Sequence, residues 1–158
     1  MDDLTRYRVG NVAIFAVALA HAALTWPPRA VLALFVGGAA LAAVAEVAVI
    51  LLGLLEHQLE PQIAGVPLVV LLAWPAIVYA SLRIALLVAP PGAAAAALAA
   101  VLATAADVVT DPDGVEHGVW RYPEAPVSTP RYRGVPWWNF AGWLLIVFVT
   151  ALLPTVAL

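Results

Sequence analysis

Residues 30–54 read AVLALFVGGAALAAVAEVAVILLGL, a stretch in which Glu46 is the only ionisable side chain. Crossing the hydrocarbon of a bilayer as a helix takes about 20 mainly apolar residues, so this stretch has the length and composition of one span. Its leucines and alanines run on without interruption, whereas a lipid-embedded barrel strand alternates apolar and polar over about 10 residues. Four further stretches pass the same test, and helices are expected over 9–26, 30–54, 64–89, 92–111 and 136–158. The expected fold class is all-α, a polytopic transmembrane helical bundle of about five helices forming one integral membrane domain over 1–158.

Composition agrees with that reading. Of 158 residues, 65% are hydrophobic and 11% charged, and the mean hydropathy is +0.99. A soluble domain carries about 25% charged residues, and a chain this short cannot bury such an apolar excess around one aqueous core. All seven basic residues are arginine, which excludes a lysine Schiff base of the rhodopsin kind. The absence of cysteine excludes disulfides and thiol chemistry. Three histidines are too few for a membrane di-iron centre built on histidine boxes, and a net charge of −3 gives no nucleic-acid footprint.

Arginine placement sets an expected orientation. Arg6, Arg8, Arg121, Arg131 and Arg133 fall on one side of a five-span topology, and Arg29 and Arg83 on the other. This puts the N-terminus and the 112–135 connection in the cytoplasm of a multi-pass cell-membrane protein, with the C-terminus outside. Asp2, Asp3 and the apolar run beyond Ala20-His21-Ala22 favour an uncleaved first helix over a signal peptide. The alanine-rich run 93–106 reads as small residues that let helices pack closely.

A short internal echo is present. Gly65-Val66-Pro67 and Gly134-Val135-Pro136 each open an apolar helix, and Trp74 and Trp143 each follow their proline by seven residues. Shared helix-start chemistry, chance and duplication explain this equally well at the level of sequence.

The chemistry is expected from intramembrane acids. A carboxylate in a membrane helix costs about 2.5–3.5 kcal/mol on insertion scales, so Glu46 and Asp107 need a partner, water or a proton. Asp107 and Asp111, four apart, share a helical face, and two carboxyls held this close resist double ionisation. One of them is then suited to donate a proton. Pro112 is expected to stop that helix after Asp111. Glu56, His57 and Glu60 read as a solvated connection; with Glu116 and His117 they match no established metal-ligand spacing, so no metal is expected. His21 reads as a packing residue. Trp120, Tyr122 and Tyr132 lie beside the acids, where an aromatic face can stabilise a carbocation, while Trp137 and Trp138 suit an interfacial belt. Asn139 adds an uncharged hydrogen-bonding group just inside the fifth helix.

These residues resemble a known family. Asp107 is followed by Asp111-Pro112-x-x-Val115-x-x-Gly118-x-Trp120 and then by Tyr132-x-Gly134-Val135-Pro136-x-x-Asn139-Phe140-x-Gly142-Trp143; upstream stand Glu46, Gly65-Val66-Pro67-Leu68, Ala73-Trp74 and Tyr79. Over roughly residues 46–145 this pattern is similar to the membrane carotenoid biosynthesis proteins, which include carotenoid hydratases. The resemblance implies acid-catalysed addition of water to a terminal isoprenoid C=C of a linear carotenoid, without a cofactor. Asp107, Asp111 and Glu46 are then the catalytic residues, and Trp120, Tyr132, Asn139, Trp143 and Trp74 line the substrate. It implies as partners a carotenoid or other polyisoprenoid, the lipid bilayer, and a second copy of the chain or other carotenoid enzymes.

Two rivals stand beside it. A carotenoid cyclase subunit begins with the same alkene protonation but ends by losing a proton. A non-catalytic carotenoid- or lipid-binding subunit would need no acid at all. The polar, acidic connection favours hydration, because it gives water a route to the site.

Overall fold

The computed structural model describes residues 2–124 and 129–158; residues 125–128 of the long connection, Pro126 among them, lie outside the described residues. Among the described residues five helices are long and apolar enough to cross a membrane. They are α1 (Asp3–Thr25), α2 (Pro28–Leu51), α3 (Leu68–Ala85), α4 (Ala93–Glu116) and α5 (Trp137–Thr155). The all-α bundle expected from the sequence is the architecture observed. Among the described residues, six two-residue strands decorate one end of it: β1 (Glu56–His57), β2 (Gln62–Ile63), β3 (Val66–Pro67), β4 (Trp120–Arg121), β5 (Arg131–Tyr132) and β6 (Val135–Pro136).

The helix α3 is central and packs against all four others. Its neighbour α4 presents Ala95, Ala96, Ala99, Ala100 and Ala103, all buried, so the alanine run is a close-packing face. A π-helical turn, Ala33–Gly38, brings α2 alongside α5, where Gly37 and Gly38 face Leu153 and Thr150. Outward-facing Val17, Leu24, Val44 and Leu51 remain exposed, as lipid-facing side chains do.

Helix boundaries depart from expectation for local reasons. The first helix begins at Asp3, not residue 9, because the Asp2 carboxylate accepts from the Thr5 N–H at 2.7 Å and caps it. The third begins at Leu68, not residue 64, because Ala64 and Gly65 have φ of 52° and 84° and form a two-residue turn between β2 and β3. Pro67 and Pro136 therefore sit just ahead of their helices, paired in hairpins.

Pro112 does not stop the fourth helix. The chain stays helical to Glu116, because one missing backbone donor is tolerated in such a helix. The true stop is Gly118, with φ of 66°. Its N–H donates to the Val115 carbonyl, and the next N–H, of Val119, to Gly114 at 2.8 Å, a Schellman closure. The connection runs from His117 to Pro136, not over 112–135.

The same closure ends α2, and with it the internal echo becomes a structural repeat. Gly53 has φ of 70° and donates to Ile50, and Leu54 donates to Val49. Each helix is followed by a strand, β1 or β4, and these two pair antiparallel. Next comes a hairpin, β2–β3 or β5–β6, whose turn has two positive-φ residues: Ala64-Gly65 in one half, Arg133-Gly134 in the other, at 47° and 88°. A Cβ on Gly65 would meet Ile50 at 3.1 Å, and one on Gly134 would meet Val115 at 3.2 Å. The proline before each hairpin, Pro61 or Pro130, accepts from the first residue of the following helix at 3.0 Å in both halves. Trp74 and Trp143 then stack face to face, with centroids 4.2 Å apart and planes 10° from parallel. The pair α2–α3 and the pair α4–α5 are two copies of one helix–loop–helix unit, and α1 is added to them.

Candidate active site

The ends of α2 and α4, the paired strands and the tryptophan stack enclose a cavity of roughly 350 Å³. From α2 and its loop come Glu46, Leu55 and His57. From α3 come Val70, Ala73, Trp74 and Ile77, and from α5 Asn139 and Trp143. Tyr7, Asn11 and Ile14 of α1 lie across from Ala103, Ala106, Asp107, Thr110 and Asp111 of α4, and Trp120 and Tyr122 complete the wall.

Matching positions of the repeat supply two carboxylates, each with a loop partner. Glu46 lies seven residues before Gly53, and Asp111 seven before Gly118. Eleven residues after each carboxylate stands its partner: His57 Nε2 lies 2.6 Å from Glu46 Oε1, and the Tyr122 hydroxyl donates to Asp111 Oδ2 at 2.7 Å. The strand pair holds these loops together through the Arg121–Glu56 ion pair, at 2.5 Å.

The two halves differ where the chemistry lies. Asp107 occupies the position that Ala42 fills in the first half, so one half alone has a second carboxyl. Asp111 is 2% exposed and accepts from Trp120 Nε1, from Tyr122 and, at 2.7 Å, from Asn139 Nδ2. Asp107 is 7% exposed, and its Oδ2 accepts only the longer 3.3 Å bond from the same Asn139 nitrogen. Three donors therefore occupy Asp111, while Asp107 keeps an oxygen for the cavity. Burial and the neighbouring Asp111 hold the Tyr122 phenol far above its usual range, so it remains a donor.

Of the residues expected to act, Asp107, Asp111, Glu46, Trp120, Asn139, Trp143 and Trp74 all line this one cavity. Tyr132 does not. It is 43% exposed on β5, and the hairpin carries it away from the acids despite their closeness in sequence. Asn139, expected to line the substrate, bridges the two aspartates with its amide. His57 was read as solvated, yet its side chain is 3% exposed. Tyr7 and Asn11, on a helix far away in sequence, carried no signal beyond being polar within or beside an apolar run. His21 is a satisfied packing residue, its Nδ1 2.5 Å from the Tyr79 hydroxyl.

The arrangement is an apolar, tryptophan-walled chamber with one available carboxyl, a second carboxyl held by three donors, and a histidine–glutamate pair. Such a chamber can protonate an electron-rich carbon and shield the cation that results.

Comparison with known proteins bears on this chemistry. The model of a family described as "Carotenoid biosynthesis protein" matches residues 11–158. A bisanhydrobacterioruberin hydratase from Haloarcula japonica is 47% identical over 47 residues, which are 30% of this chain and 14% of that protein. No solved structure matches.

Proposed function

The chain belongs to the carotenoid biosynthesis protein family, and on that premise we propose that it is a multi-pass membrane hydratase that adds water to a terminal C=C of a linear carotenoid. The observation that carries the proposal is the paired state of Asp107 and Asp111 in the tryptophan-walled cavity. Hydrating an isolated trisubstituted alkene requires a strong acid at carbon, a shielded tertiary cation and a water molecule. Asp107, with an oxygen free of protein partners, transfers its proton to the less substituted alkene carbon. Asp111, held by Asn139, Tyr122 and Trp120, keeps negative charge near the developing cation. Trp120, Trp74 and Trp143 give that cation π-faces. A cavity of roughly 350 Å³ suits the end of a polyene, whose remaining length lies in the surrounding lipid. The partial match to a hydratase supports the reaction class.

Expression in a carotenoid-producing host grown in heavy-oxygen water tests the reaction. The hydroxyl is expected to carry oxygen from water, with one solvent hydrogen on the adjacent carbon. Label from molecular oxygen would end the hydratase reading, and a cyclised, oxygen-free product would put the cyclase in its place.

The proposal includes an orientation, with the acidic end of the bundle in the cytoplasm, motivated by five of the seven arginines lying there. Because the chain has no cysteine, single substitutions report sidedness. Glu124→Cys in intact cells should resist a membrane-impermeant thiol reagent, while Pro91→Cys, in the α3–α4 connection, should react. The reverse pattern would invert the topology.

A further inference from the structure

Resting on the hydratase reading, we propose that His57, held in place by Glu46, is the base that takes the proton from the attacking water. Protonation of carbon and activation of water are thereby divided between the two halves of the repeat.

The repeat itself is the first observation. Glu46–His57 and Asp111–Tyr122 occupy matching positions, each a helix carboxylate bonded to a loop residue eleven places on. In the second half the loop partner is a phenol, which donates to its carboxylate and stays protonated. In the first half it is an imidazole, the group best suited to accept a proton near neutral pH. That half has Ala42 where the other has Asp107, so it holds no spare carboxyl to act as an acid.

The second observation is an orphaned atom. His57 Nδ1 is buried with no hydrogen-bond partner among the described residues. Its Nε2, 2.6 Å from Glu46, is the protonated nitrogen when Glu46 is a carboxylate, which leaves Nδ1 with a free lone pair. Buried polar atoms are seldom left unpaired, and the ring lines the cavity where the cation forms. A water admitted there completes the bonding of Nδ1. Its oxygen then faces a chamber whose other wall is Trp120, edge-on to the imidazole at 6.1 Å.

The steps balance. The Asp107 O–H bond breaks as a C–H bond forms, and the alkene π-pair is used, leaving a tertiary cation. Water oxygen donates a pair to that carbon while its proton passes to His57 Nδ1. Glu46 pairs with the imidazolium. The proton then returns from His57 to the Asp107 carboxylate through water, so each turnover consumes one alkene and one water. Glu46 is a positioning residue in this scheme.

Deuterium separates the two halves. The full chain is expressed in a host making an acyclic C40 carotene with unmodified isopropylidene ends, grown in heavy water after pigment synthesis is blocked. His57→Gln, which keeps a donor towards Glu46, should lower hydroxylated product at least ~100-fold. Unhydrated carotene recovered from these cells should still gain deuterium at its ends, because Asp107 protonates carbon and its carboxylate removes a proton again. Glu46→Gln should give the same pattern, and Asp107→Asn should abolish both hydration and exchange. Normal hydration by His57→Gln, or loss of exchange along with hydration in well-inserted protein, overturns the division of labour. Exchange and hydration both surviving Asp107→Asn remove Asp107 as the acid and overturn the division of labour, whereas carotene left unhydroxylated by the wild-type chain overturns the hydratase reading itself.

Discussion

Asparagine in place of Asp107 is expected to cut hydration by ~10²–10⁴-fold, the range attributed to a general acid, while the chain still inserts and folds. The amide keeps the size of the carboxyl, and its oxygen can still accept from Asn139, as Oδ2 does at 3.3 Å. What it lacks is a proton acidic enough for carbon. Asp111→Asn should also be impaired, for a different reason. Three donors converge on Asp111, and an amide presents one of them with another donor, which loosens Trp120, Tyr122 or Asn139. Glu124, exposed on the long connection, is the control, and Glu124→Gln should leave the product unchanged. The mass spectrum of the pigments, normalised to protein in the membrane fraction, decides the matter. Normal yield from a variant carrying both Asp107→Asn and Glu46→Gln would remove the proposed acid and leave the binding-subunit reading in front.

How much of this was legible in the sequence depends on range. The five spans were readable because length and apolar composition are local properties, and the acids were readable because a charge within such a span is costly. The true end of α4 was missed because Pro112 is the louder local signal, while Gly118 stops the helix through bonds back to Gly114 and Val115. Duplication was only hinted at for a physical reason as well. Glu46, Gly53 and His57 recur 65 places on as Asp111, Gly118 and Tyr122, but Gly65, Pro67 and Trp74 recur 69 places on as Gly134, Pro136 and Trp143. The second connection is four residues longer, which breaks the register at the point where the carboxylate-bearing half of each unit ends. Substitution of Tyr for His and Asp for Glu hides the rest. His57 looked solvated because its neighbour Glu56 is; alternation along β1 exposes one to Arg121 and buries the other. Tyr132 misled for the converse reason, since nearness along the chain says nothing of which face of a hairpin a residue takes.

Alanine at Gly114 is expected to be among the most damaging small substitutions in the chain, although no chemical group is lost. The Trp120 indole lies directly on the α4 backbone at Gly114, and a methyl there would overlap its Cζ2, Cε2 and Cη2 atoms. A ring edge cannot swing aside as a flexible side chain can, so the indole must move as a whole. Its Nε1 then leaves Asp111, and its edges leave Tyr7 and His57, against which it packs at 5.7 and 6.1 Å. Overpacking of this kind costs ~1–3 kcal/mol, and losing a hydrogen bond to a charged acceptor costs ~1.5–3 kcal/mol. Hydration should fall at least about tenfold for each ~1.4 kcal/mol that reaches the transition state. In the first half the matching positions hold Val49 and Leu55, a larger helix residue with a smaller partner. Gly142, whose added Cβ would meet nothing within 4 Å, is the comparison: Gly142→Ala should retain activity and gain stability, by ~0.5–1 kcal/mol for an unstrained helix position. Activity and thermal stability of the two variants in detergent check the prediction. Wild-type turnover by Gly114→Ala would mean that Trp120 does not need its seat on α4 to serve the site.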